Sequence, residues 1–66
     1  MKNTIKIERA LKNITQEDLA KKIGVSRQTI NAMEAGKYVP STVLALKIAK
    51  YFDKKVEDIF ELEDGD

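Results

Sequence analysis

The chain reads as an all-α protein of five short helices, and three observations predict this. Apolar residues recur at three- and four-residue spacing through most of the 66 residues. Thr15, Ser26 and Ser41 stand just before three of these stretches, where a hydroxyl can cap free backbone N–H groups. Gly24 and Gly36 stand just after two of them, where the chain has to turn. With 42% hydrophobic and 35% charged residues, the composition is that of one small globular domain over residues 1–66. This is near the lower size at which a chain folds without metals, disulfides or a partner.

Taken in order, residues 5–12 carry the first helix, with Ile7 and Leu11 at i, i+4 and Ala10 beside them as its apolar side. Its start is open, because Thr4-Ile5-Lys6-Ile7 also alternates with a strand's period of two. Thr15 and Asp18 form a capping pattern for a second helix over about 16–23, whose buried stripe is Leu19, Ala20 and Ile23. Ser26 caps a third helix over about 27–35, with Ile30 and Met33 on its inner face. Pro40 and Ser41 introduce a fourth from Thr42 to Phe52, with a broad apolar face of Leu44, Ala45, Ile48, Ala49 and Phe52. After the turn at Lys54-Lys55, Val56, Ile59 and Phe60 make a last helical turn. Phe60 to Glu63 then alternates like a brief strand, which leaves room for a short two-stranded β-ribbon joining the N- and C-termini.

The formal net charge of +1 hides a segregation of charge. Residues 1–55 hold all twelve Lys and Arg against five acidic residues, a net +7, whereas residues 56–66 hold six acidic residues and no base, a net −6. A basic body suits a phosphate-rich partner, and the acidic tail at 61–66 would be kept away from it. That tail can equally be a solvated end that keeps the protein in solution. The chain has no cysteine and no histidine. Disulfides, structural zinc, thiol or imidazole catalysis therefore drop out together, and no enzyme, metal or cofactor is expected. The longest apolar run, Val43 to Leu46, is too short to span a membrane, and no signal peptide is visible, so a cytoplasmic location is expected.

Helix, glycine turn, helix over Thr15 to Asn31 is the layout of a helix-turn-helix, a device for placing a helix in the major groove of DNA. At 100° per residue, Gln28 lies almost opposite the inner face of Ile30 and Met33, with Asn31 and Ala32 flanking it and Arg27 and Thr29 at the edges. Gln and Asn can pair with adenine and Arg with guanine, so Arg27, Gln28 and Asn31 are the candidate base contacts. Gln16, Ser26 and Thr29 offer amide and hydroxyl donors for phosphate, and Lys37 and Tyr38 in the following loop can reach the same strand. Ser26 has a sufficient role as a helix cap alone, and Gln28 and Asn31 as solvated surface.

These same residues carry a family resemblance. Thr15-Gln16-Glu17-Asp18-Leu19-Ala20, Gly24 to Asn31, Glu34, Gly36-Lys37 and Pro40-Ser41 resemble the Xre/Cro-type helix-turn-helix regulators, as do Ala45 to Ala49 and Val56 to Phe60. The resemblance covers about residues 5–62 and is to the minimal, single-domain members. It implies a compact repressor-like DNA-binding domain that binds double-stranded DNA specifically as a homodimer and regulates or represses transcription. It also implies DNA contacts at Gln16, Arg27, Gln28 and Asn31, and a structural ion pair between Arg9 and Glu34. Glu8, Thr42 and Asp53 depart from the usual pattern, in which Leu, Leu and Gly are common.

A two-fold dimer would place two reading helices about 34 Å apart on an inverted-repeat operator. Val43 and Leu46 on helix four, with Val56, Ile59, Phe60 and Leu62 near the C-terminus, are the expected interface. In the rival arrangement, Phe60 and Leu62 serve the monomer core by pairing with residues 2–5. No small-molecule effector is evident. The other functional reading is an antitoxin-like interaction module that also binds its own operator.

Overall fold

A computed structural model describes all 66 residues. Three central helices begin at hydroxyl caps: α2 (Gln16–Ile23), α3 (Arg27–Glu34) and α4 (Thr42–Phe52). Thr15, Ser26 and Ser41 each accept a hydrogen bond from the backbone N–H three residues on. At Thr15 the capping box is complete, since Asp18 Oδ2 also accepts from the Thr15 N–H at 3.0 Å. That hydrogen bond, with the one between their side chains, holds the Asp18 carboxyl below the usual aspartate range. Gly24 ends α2 at φ 84°, and a Cβ there would meet nothing within 4 Å. The backbone angle, not crowding, is what calls for glycine in this turn. Asp53 ends α4 in the same left-handed region at φ 55°, a conformation that Asp bears better than most side chains.

These caps aim the apolar stripes at one another. Leu19, Ala20 and Ile23 from α2, Ile30 and Met33 from α3, and Leu44, Ile48, Ala49 and Phe52 from α4 join one buried cluster. Ile5 from α1 (Ile5–Lys12), Ile59 from α5 (Val56–Ile59) and Phe60 complete it. The chain ends meet in an antiparallel ribbon of β1 (Lys2–Asn3) and β2 (Phe60–Glu61), with Lys2 opposite Glu61 and Asn3 opposite Phe60. Asn3 adds a tie to α3. Its Nδ2 donates to the Met33 carbonyl at 2.7 Å, in the last turn of α3, where carbonyls lack intrahelical partners. No helix is long and apolar enough to cross a membrane.

The first helix corrects the sequence reading. Ile7 and Leu11 are 60% and 73% exposed, while Ile5 and Glu8 are buried. The inward row is Ile5, Glu8 and Arg9, helical spacing built mostly from charges, with Lys12 exposed at its end. Each charge is matched: Lys54 Nζ donates to Glu8 Oε2 at 2.9 Å, Arg9 pairs with Glu34, and Lys12 lies 5.2 Å from the Tyr51 ring centre. Partners supplied from distant parts of the chain turn α1 by electrostatics, against its own apolar stripe. The C-terminal expectation is corrected in part as well. Ile59 and Phe60 are only 1% and 7% exposed and belong to the monomer core, whereas Leu62 lies outside it.

Replacing Ile30 with Ala empties the centre of this cluster. A loss of about 2–5 kcal/mol in unfolding free energy is expected, measured by thermal or denaturant melting. A loss below about 1 kcal/mol would show that α3 is not anchored through this residue.

Candidate nucleic-acid interface

Burying Ile30 and Met33 fixes the rotation of α3 and so decides what its other side shows. Arg27, Gln28 and Asn31 are exposed on that side, and Ala32 is half-buried beside them. The N-terminal end of α2 enters the same surface, because Gln16 lines one shallow depression together with Arg27, Gln28 and Asn31. A second depression runs from there along Arg9, Thr15 and Arg27. All three expected base-contact residues are thus brought together, with Gln16 at their edge.

Ser26 and Thr29 stand at the entrance of α3. Ser26 Oγ accepts from the Thr29 backbone N–H at 3.1 Å and lies 2.8 Å from Thr29 Oγ1. One hydroxyl proton satisfies the short contact between them, so the pair keeps one O–H free to donate outward. Lys37 and Tyr38 are both exposed in the loop after α3. No group of three or more acidic side chains comes together in a way that could hold a metal ion.

Beneath the exposed row lies the one strongly shielded ion pair. Arg9 grips both oxygens of Glu34, through Nε and through Nη2 at 2.9 Å, and its Nη1 donates to the Ile14 carbonyl at 3.1 Å. The side chains are 14% and 8% exposed. Burial pushes the Glu34 carboxyl up. The hydrogen bonds from Arg9 and Gln16, together with the Arg9 charge, outweigh that and hold it below the usual glutamate range. The same carboxylate raises Arg9 further.

Gln16, expected as a phosphate contact, is tied to its neighbours through its side-chain amide. Nε2 donates to Glu34 Oε1 at 3.1 Å and approaches Asn31 Oδ1 at 3.4 Å.

On another side of the molecule, Met1, Val39, Pro40, Ala45, Leu46, Val56 and Phe60 line an apolar groove. Val39, Val43 and Leu46 are exposed around it. Val39 escaped the sequence reading because it lies in a loop, where no periodicity marks a face. None of these residues belongs to α3.

The sequence profile described as helix-turn-helix matches residues 5–59 of this chain. The chain belongs to the helix-turn-helix family. An HTH-type transcriptional regulator of Methanocaldococcus jannaschii is 67% identical over 66 residues, covering all of both chains. A second, YgzD of Bacillus subtilis, is 53% identical over 97% of each chain. A third, from Archaeoglobus fulgidus, is 57% identical over 91% of this chain and 84% of its own. In this helix-turn-helix protein the turn between α2 and α3 is the segment Gly24 to Ser26, between the caps described above.

Removing either partner of the shielded ion pair leaves the other charge without compensation. A double-mutant cycle with Arg9→Met and Glu34→Gln should give a coupling of roughly 1.5–3 kcal/mol near neutral pH. The Glu34 carboxyl sits lower in the folded chain than in the unfolded one. Its contribution is therefore fully present above the ordinary glutamate value and is lost as the pH falls from about 4.5. The coupling should shrink over that range. A coupling near zero at pH 7 would return both residues to ordinary solvated surface.

Proposed function

We propose that this chain is a sequence-specific, double-stranded DNA-binding transcriptional regulator that acts as a repressor, with α3 in the major groove. The observation that carries this reading is the exposed row Arg27, Gln28 and Asn31, backed by the buried Ile30 and Met33. The row has no part in the core, and its side chains match the donors and acceptors of base edges. Ser26, Thr29, Lys37 and Tyr38 flank it and supply phosphate contacts that set the register. The HTH-type regulators to which the chain is similar support the same assignment.

The active species is a homodimer on an inverted repeat. A single eight-residue helix reads too few base pairs to be selective. The chain measures 31 × 23 × 20 Å, a size that suits two copies presenting α3 to successive major grooves about 34 Å apart. The apolar groove beside Val39, Leu46 and Val56, extended by Val43 and Leu62, is the interface this reading selects. Phe60 contributes only as part of the groove wall, and Ile59 only through the core.

Binding to a duplex selected from a random pool should exceed binding to scrambled duplex and weaken steeply with salt, as counterions are released from several phosphates. Gln28→Ala should cost about 1–3 kcal/mol on the selected site and little on scrambled DNA, with melting unchanged. Equal affinity of the unmodified protein for both duplexes at low and high salt would end the specific-regulator reading.

Sedimentation should find a dimer on the selected site. Leu46→Glu should convert it to a monomer that protects one half-site. A monomer in the unmodified protein, free and on DNA, would remove the dimer.

A further inference from the structure

The β1–β2 ribbon bridges the apolar groove and the end of α3. Phe60 lines the groove and stands opposite Asn3 in the ribbon. The Thr4 N–H on the Ile59 carbonyl, at 2.9 Å, holds the same backbone further. From that ribbon Asn3 reaches α3, with Nδ2 2.7 Å from the Met33 carbonyl oxygen. Its Oδ1 accepts from the Ile5 N–H at 3.2 Å, at the start of α1. A backbone N–H can only donate and a backbone carbonyl can only accept, so this half-buried amide has one orientation.

The end of α3 does not need this bond to terminate. The Gly36 N–H already donates to the Met33 carbonyl at 3.0 Å, and the Lys37 N–H to the Ala32 carbonyl at 2.9 Å. With Gly36 at φ 74°, that is a common way for a helix to close on a left-handed glycine. Asn3 takes the second lone pair of the Met33 oxygen and so fixes α3 to the ribbon. Apolar burial of Ile30 and Met33 sets the rotation of α3 but is non-directional, and a short helix can rock on it. A directional hydrogen bond prescribes where one end lies.

We infer that Asn3 is a positioning residue for DNA recognition: it pins the end of α3 to the ribbon beside the apolar groove, and so sets how the reading row is held relative to a partner copy. The inference rests on the DNA-binding dimer proposed above and goes beyond it by naming the link between its two faces. With the groove buried between copies, Phe60, Asn3 and the Met33 carbonyl run without a break from the interface to the reading helix. Two helices pinned in this way face successive major grooves at one separation, about 34 Å, and select one half-site spacing. Released, each α3 keeps its phosphate contacts but meets base edges at several angles.

The test compares the unmodified protein with Asn3→Ser and Asn3→Asp at a temperature where every variant is folded. The duplexes are a selected site, a scrambled sequence, and the selected site with one base pair added or removed between half-sites. Both substitutions keep an oxygen for the Ile5 N–H and lose the donor to Met33. The unmodified protein should prefer its own spacing by about tenfold or more, and both variants should reduce this to less than about threefold. Affinity of Asn3→Ser for scrambled duplex should stay within about twofold of the unmodified protein's. Ile23→Val loosens the core without touching the ribbon, so it should lower melting yet keep the spacing preference. Loss of the preference in Ile23→Val as well would make the effect one of stability and overturn the role of Asn3.

The pin itself can be observed without DNA. In the free protein, the NMR signals of the Asn3 side-chain NH2 should exchange with water far more slowly than those of exposed Asn13. Equal exchange would overturn the pin. An unmodified protein indifferent to spacing, or a preference unchanged in both Asn3 variants, would overturn the role of Asn3 while leaving specific DNA binding standing. An unmodified protein that does not distinguish selected from scrambled duplex would remove the DNA-binding reading, and the inference with it.

Discussion

No helix in this protein exceeds eleven residues, and helices of that length are marginal in water on their own. Their existence, and above all their rotation, depends on what each one buries. For α3 this constraint is decisive. Ile30 and Met33 are wholly enclosed, and their burial leaves Arg27, Gln28 and Asn31 on the opposite side. The face available for recognition is thus the complement of the core contact, and a rotation by one residue would replace it with another set.

Charge performs the same service for α1 and then reaches the surface. Arg9 and Glu34 fix α1 against α3, Glu8 and Lys54 fix it against the turn after α4, and the apolar Ile7 and Leu11 are left outside. A pair as shielded as Arg9 with Glu34 gains little net energy over an apolar contact, but its two-point grip tolerates few alternative geometries. Glu34 has a further lone pair to offer, and Gln16 uses it. One carboxylate thereby ties α1, the start of α2 and the end of α3 together.

This division between apolar and polar control explains how far the sequence could be read. Helices α2 to α4 were legible because their caps are local: Thr15, Ser26 and Ser41 act three residues away, and their apolar stripes keep a regular period. Asp53 was marked only by the family resemblance, as a departure from a common Gly, and it takes the left-handed conformation that Gly would. The inward face of α1 was not, because Glu8 acquires its partner 46 residues later in Lys54 and no spacing rule marks such a pair. The pairing of Arg9 with Glu34 came from a family resemblance and not from periodicity. The direction of the Gln16 amide is a consequence of that pair, so it too lay beyond any local pattern. Phe60 carried both a helical and a strand signal. In the structure it closes the α5 turn and pairs with Asn3, which puts it in the core.

The central claim is that the side of α3 opposite Ile30 and Met33 lies against base edges. Amide and side-chain NMR shifts on titration with a selected duplex test it most directly. The account predicts the largest changes at Arg27, Gln28 and Asn31, with Ser26, Thr29, Lys37 and Tyr38 next and little change at Ile7 and Leu11. Changes centred on Ile7 and Leu11 of α1, with the α3 row unmoved, would contradict it.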